Sequence, residues 1–331
     1  MGAEVFSYAP IIIPIFVSIG NTPSMKFTYS EIDMKVLLRH LVFVPLFYAC
    51  VSNTNENQTR EPATLEDPTE YALTRAERLE DYLFALDSTD ITSVGKATER
   101  YFELFEETDS LQNDSGVVLI LEYMEMMTMN AHKSVFQEGV DYSPLVRIEA
   151  TETNSDIPEE LQEAYRKIHE NGFRVRETEG MFVLELNPFF VQETFYPYVS
   201  PTLEIYLQQL GKENLEGFAE DAAIAIPYES LVQRVIWWEE FLRNTRGTAV
   251  EPLAKEQYNK YFICLTIGMD NTPAIESEQL SPYFQQAYTY LKDFAPDSDT
   301  YKQLESYISL LQDRQLDEAK GLLPGLIPQE I

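Results

Sequence analysis

Phe173-Arg-Val-Arg-Glu-Thr-Glu-Gly-Met-Phe-Val-Leu-Glu-Leu186 is the stretch in which the hydrophobic period of this chain changes to two. A period of two marks a strand, because successive side chains of an extended backbone point to opposite faces. Glu179-Gly180 at its centre supplies a tight turn, so the segment predicts a β-hairpin of strands 173–178 and 181–186. A lone hairpin is marginal in water and must pack on something else. The flanking sequence says what that is: helices.

Upstream, Asp67-Pro68 offers an N-cap and a proline at the first helical position. Leu73, Ala76, Leu79, Leu83 and Leu86 then follow helical spacing. Ile91, Val94, Ala97, Tyr101, Leu104 and Phe105 give a second helix, and Asp114-Ser115 caps a third over Val117 to Phe136. The third carries Met124, Met126, Met127 and Met129, a stripe that reads as adaptable core. Together these predict a three-helix bundle over 67–138. Residues 139–157 read as irregular and as a boundary, and 156–331 as the hairpin with further helices. A helix opened by Asp156-Ile157-Pro158 ends at Asn171-Gly172. After the hairpin, Ser200-Pro201 opens a helix to near Gly211. Further helices are expected over Tyr228–Arg243, Leu253–Ile267, Tyr283–Phe294 and Thr300–Leu311, with a turn at Asn271-Thr-Pro273. The predicted class is mostly α, with one small β-hairpin.

The net charge of −31 lies entirely on residues 51–331, which hold 52 acids and 21 bases. Such a surface repels nucleic acid and anionic lipid headgroups, so no nucleic-acid partner is expected. The two cysteines, Cys50 and Cys264, offer no disulfide scaffold. Cys264 lies in an apolar helical run and reads as core.

Cys50 has a different setting. From Met34 the chain runs Met-Lys-Val-Leu-Leu-Arg-His-Leu-Val-Phe-Val-Pro-Leu-Phe-Tyr-Ala-Cys50. Lys35, Arg39 and His40 precede a nine-residue apolar run, Leu41 to Ala49, too short to span a bilayer at ~20 residues. The order is that of an export signal over 34–49, and Phe47-Tyr48-Ala49-Cys50 resembles the cleavage motif of bacterial lipoprotein signal peptides. Ala49 and Cys50 match that pattern; Phe47 and Tyr48 are bulkier than it prefers. The resemblance implies a thioether-linked diacylglycerol on Cys50, a membrane anchor there, and a location at the extracytoplasmic face of a cell-envelope membrane. Export without the lipid would give a secreted protein. Residues 1–33 then precede the signal, as an upstream translation artefact or an unusual anchor. The polar run 51–66 reads as a tether.

Trp237-Trp-Glu-Glu-Phe241 and Tyr290-Leu-Lys-Asp-Phe294 match in type at an offset of 53 residues. Each closes one helix before a polar turn and another helix. Over 228–312 this resembles tetratricopeptide-type helical hairpins, although the regular 34-residue period of that family is missing.

Chemistry is sparse. His132 and His169 are the only histidines after Cys50, each near a helix end, and neither has metal-ligand spacing. No phosphate-binding glycine motif is present, so no cofactor and no metal are expected. Carboxylate pairs such as Glu122/Glu125 and Glu239/Glu240 arise by chance among so many acids. The densest unusual feature is Phe189, Phe190, Phe195, Tyr196 and Tyr198, beside two prolines. With Trp237 and Trp238 these are the candidate binding residues, against their reading as packing between hairpin and helices. The function expected is a membrane-tethered binding or scaffold lipoprotein with a protein or peptide partner. The alternative is an envelope hydrolase centred on His132 or His169.

Overall fold

The computed structural model describes residues 73–105, 109–151 and 157–328. The signal, Cys50, the tether and the helix start at Asp67-Pro68 lie outside them. Among the described residues the fold is mostly α, with thirteen α-helices and four two-stranded antiparallel hairpins.

Helices α1 (Arg75–Ala85), α2 (Ser93–Leu104) and α3 (Ser110–Asn130) form the expected bundle and pack on one another. A capping box starts α1: Glu77 N donates to Thr74 Oγ1 at 3.2 Å and Thr74 N to Glu77 Oε2 at 2.7 Å. The start of α3 differs from expectation. Its N-cap is Asp109, which leaves Asp114 one turn inside the helix and buried. There Asp114 accepts from Ser200 N (2.8 Å) and Ser200 Oγ (2.5 Å), and Asn113 Nδ2 donates to Tyr198 O at 2.9 Å. The aspartate that reads as a cap is therefore part of a long-range tie. Met124, Met126 and Met127 lie in the core and Met129 is exposed. The helix stops at Ala131, and α4 (His132–Val135) finishes the segment.

Residues 139–157 are not wholly irregular, since they include α5 (Ser143–Thr151), which packs on the first strand of the hairpin. Then come α6 (Gln162–Glu170), β1 (Phe173–Thr178) and β2 (Met181–Leu186), with Val175 opposite Leu184 and Arg174 opposite Glu185. Both faces of the hairpin are covered. Phe173, Val175 and Leu184 sit in the core, and Glu185, nominally on the polar face, is only 5% exposed. The aromatic run is itself helical: α7 (Pro188–Phe195), capped by Asn187, then a single 3-10 turn.

Helix α8 (Pro201–Glu216) runs past Gly211, which an interior glycine permits. One arrangement recurs along the chain: helix, glycine at positive φ, tight hairpin, helix. Gly172 (φ +81) joins α6 to β1–β2. Gly217 (φ 69, ψ 175) joins α8 to β3 (Ala219–Glu220) and β4 (Ala223–Ile224), which lead into α9 (Tyr228–Asn244). Gly268 (φ 80, ψ −156) joins α10 (Glu251–Ile267) to β5 (Gly268–Met269) and β6 (Thr272–Pro273). The last two glycines occupy a region open essentially to glycine alone. A Cβ on Gly268 would also collide with the Thr272 carbonyl oxygen. The Asn271 turn is thus a hairpin, and β7 (Ile275–Glu276) with β8 (Gln279–Leu280) adds another before α11 (Pro282–Phe294). The two central hairpins are tied: Asn271 N donates to Ala222 O at 3.0 Å and Ile224 N to Thr272 Oγ1 at 3.0 Å.

Helices α11, α12 (Asp299–Gln312) and α13 (Leu316–Leu326) close the chain, with α9 packed on α10, α11 and α12. One cluster of buried residues runs from Leu79 to Ala319.

Candidate functional site

Two places combine unusual chemistry with a defined geometry. The first is a surface concavity of 540 Å³ where α4 and its following loop meet the turn of the hairpin. His132, Lys133, Phe136, Val140, Tyr142, Met181 and Phe182 line it. Its wall is aromatic. Phe136 and Tyr142 meet edge-on at 5.0 Å, Tyr142 and Phe182 at 5.7 Å, and His132 lies 5.0 Å from Phe136. Tyr142 is fixed by its hydroxyl, which donates to Val135 O at 3.1 Å and accepts from Gln137 N at 3.1 Å. Met181 and Val140 expose 57% and 37% of their surface on the rim, beside exposed Lys133, Gln137 and Glu138, so the rim is open and mixes apolar with charged side chains. Burial lowers the His132 pKa, helped by neighbouring Lys133, so its ring is neutral at pH 7. The His132 ring makes no hydrogen bond or ion pair with another described residue.

The second place is interior. Glu213 of α8 is 3% exposed and accepts from Trp238 Nε1 (2.9 Å), Tyr261 Oη (2.7 Å) and Gln209 Nε2 (2.6 Å). Arg234 of α9, 4% exposed, donates to Tyr261 Oη (3.1 Å), Gly217 O (2.8 Å) and Glu216 Oε2 (3.2 Å). Beside them Lys260 lies over the rings of Tyr261 (5.1 Å) and Phe218 (5.6 Å). Desolvation raises the Glu213 pKa against the pull of Arg234, and lowers that of Lys260. Burial also pushes the Cys264 thiol up to about 12, so it stays protonated.

Between this cluster and the bundle stand Glu122 and Glu125 of α3, both half-buried. Burial pushes each up to about 7, with Glu256 of α10 adding like-charge repulsion to both. Glu185 of β2 is also held at about 7, by burial that outweighs its ion pairs with Arg174 and Arg176. No group of three or more His, Cys, Asp or Glu that could hold a metal ion occurs among the described residues.

The sequence-derived candidates fall elsewhere. Phe195 is fully buried, 5.7 Å from Tyr101 and 6.4 Å from Phe190. Tyr198 meets Phe102 at 5.0 Å, Tyr196 is half-buried, and Phe189 is 50% exposed. Trp237 stacks on Phe241 at 5.0 Å; Trp238 is wholly inside, bonded to Glu213. His169 lies 4.0 Å from the ring of Tyr165. Sequence reasoning missed Glu213, Arg234 and Lys260. For Glu213 a signal existed, because Leu203, Tyr206, Leu207 and Leu210 set an apolar stripe that reaches position 213. No helix of the described residues is long and apolar enough to cross a membrane. No protein-family model, no curated protein and no solved structure matches this chain.

Proposed function

We propose that this is a binding protein held at an extracytoplasmic membrane face through Cys50, with the concavity at the hairpin turn as its recognition surface. The observation that carries the reading is the rim itself: Met181 and Val140 stand exposed above an aromatic floor fixed by Tyr142. Exposed apolar side chains gathered at one concave place mark interaction sites more often than scattered ones do. The partner that suits it is a peptide or protein segment presenting an apolar or aromatic side chain. The acidic body would keep the domain off an anionic bilayer while the tether gives it reach. The weak helical-hairpin resemblance over 228–312 fits a scaffold role for the rest of the chain.

Two measurements test this reading separately. Mass spectrometry of the membrane-fraction N-terminus should find diacylglyceryl-modified Cys50. An unmodified N-terminus beyond Cys50 refutes anchoring. A photo-crosslinking residue at position 181 should give one discrete adduct in envelope extracts, absent from the same probe at exposed Leu322 and lost with Val140→Glu. The same adducts from both positions would refute the recognition surface.

A further inference from the structure

One polar group of the concavity has no partner among the described residues. Phe136, Tyr142 and Phe182 make a continuous aromatic floor, with ring centroids 5.0 Å (Phe136–Tyr142), 5.7 Å (Tyr142–Phe182) and 6.4 Å (Phe136–Phe182) apart. The Tyr142 hydroxyl is taken up by Val135 O and Gln137 N, so it offers little to an occupant. The His132 ring lines the same concavity, 5.0 Å from Phe136 and tilted 51° to it, and its nitrogens bond to no described residue. His132 is only half-buried, so an occupant lying on the floor comes within reach of it. A neutral imidazole offers one N–H donor and one bare nitrogen acceptor. The charge of the lining narrows the choice further. It holds one cation and one acid, Lys133 and Glu138, and is neutral as a whole on a chain of −31. An uncharged occupant suits it.

We infer that the concavity selects a tyrosine side chain of its partner, with the aromatic floor taking the ring and His132 reading the hydroxyl. This rests on the concavity being the recognition surface. Pockets of this kind bind through apolar walls and are made selective by a few convergent polar groups, and His132 is such a group here. An aliphatic side chain or a phenylalanine would cover the imidazole and strip its water without replacing the lost hydrogen bond. A carboxylate would enter against the field of the acidic chain. A lysine would bring its charge beside Lys133. An indole N–H only donates, so it serves one tautomer of His132. A phenol both donates and accepts, and serves either. Its ring also meets the floor edge-on or offset, as the floor rings meet one another.

The test compares p-cresol with toluene, the side chains of tyrosine and phenylalanine, on the whole chain at pH 7. The methyl NMR signal of Met181 on the rim reports binding, and that of Met269 in the central hairpins serves as the control. Leaving water costs the hydroxyl of p-cresol, so a site that offers it no partner prefers toluene. Here p-cresol should bind at least about threefold more tightly, the low end of one neutral hydrogen bond. His132→Phe keeps a ring and removes both nitrogens, so it should bind toluene as before and lose the preference. Should that variant not fold, the wild-type ring decides instead: the imidazole nitrogen signals of His132 should move with p-cresol and stay in place with toluene. Toluene bound as tightly as p-cresol, or His132 signals unmoved by saturating p-cresol, overturns this inference and leaves the recognition surface standing. No response of Met181 to either compound overturns both.

Discussion

The bundle of α1–α3 and the layer of α8–α12 bury side chains of different chemistry. In the bundle, the space between helices is filled by Leu79, Leu83, Ile91, Val94, Val117, Ile120 and three methionines, and the Asp114–Ser200 tie sits at one end. In the layer, carboxylates sit between the helices. Glu213 links α8 to α9 and α10, while Glu239 of α9, 7% exposed, accepts from Asp299 N (3.0 Å) and Thr300 N (2.8 Å) at the start of α12. The bundle is held by area removed from water, which tolerates repacking. The layer is held by directional bonds to buried charges, which do not, because each leaves its partners stranded when removed.

The largest expected effect therefore lies in the layer. Glu213→Ala strips Trp238 Nε1 and Tyr261 Oη of their acceptor and leaves Arg234 with less compensation. Breaking a buried charged network from one side costs about 3–5 kcal/mol. Denaturant unfolding should show that loss, and a cost below ~1 kcal/mol would remove the contrast between the regions. Glu239→Ala comes next. It uncovers two backbone N–H groups at the head of α12, for a cost of about 2–3 kcal/mol. Ser298 still caps that helix through Tyr301 N at 3.0 Å, so hydrogen exchange should rise mainly at residues 299 and 300.

The seam between the regions should respond to pH. Glu122, Glu125 and Glu185 are each held near 7, above their ordinary value of 4.5. The folded chain thus binds more protons than the unfolded one between those values. The stability this adds is complete below about 4.5 and is lost as pH rises through about 7. His132, held below its usual 6.5, acts in the opposite sense and offsets part of the change at the start of a scan from pH 6.5 to 8.5. Over that interval Tm should fall. The effect is on the order of 1 kcal/mol once solvent screening of the half-buried pair is allowed for, or about 2–4 °C. Glu122→Gln with Glu125→Gln should flatten the slope, and an unchanged slope would place the titrating groups elsewhere.

What the sequence discloses follows the same division. The hairpin strands are read to the residue, because Glu179-Gly180 takes the positive φ its turn requires and the flanks alternate. The helices of the bundle follow their leucine spacing. The three shorter hairpins escape notice because two-residue strands are too short to show a period. Helix α13 escapes because Gly321, Pro324 and Gly325 argue against a helix. Glu213 and Glu239 are lost among 52 acids, as composition cannot separate a buried carboxylate from a solvated one. The concavity is hidden for another reason: its residues come from 132–142 and 180–182, and only folding joins them.

The smallest expected effect belongs to the bundle and completes the contrast. Met124 is fully buried on α3, and its terminal methyl lies where a Cβ on Gly172 would come within 2.6 Å. Met124→Leu keeps volume and apolarity, and leucine has the better-defined rotamers. Such a swap costs under about 1.5 kcal/mol, less than removal of either buried carboxylate. If the apolar region is held by area alone, the variant should melt within about 4 °C of the parent with an unchanged m-value. A loss comparable to that of Glu213→Ala would mean that the contact with Gly172 and Phe190 fixes the entry to the hairpin by shape. The bundle would then be as intolerant of substitution as the layer.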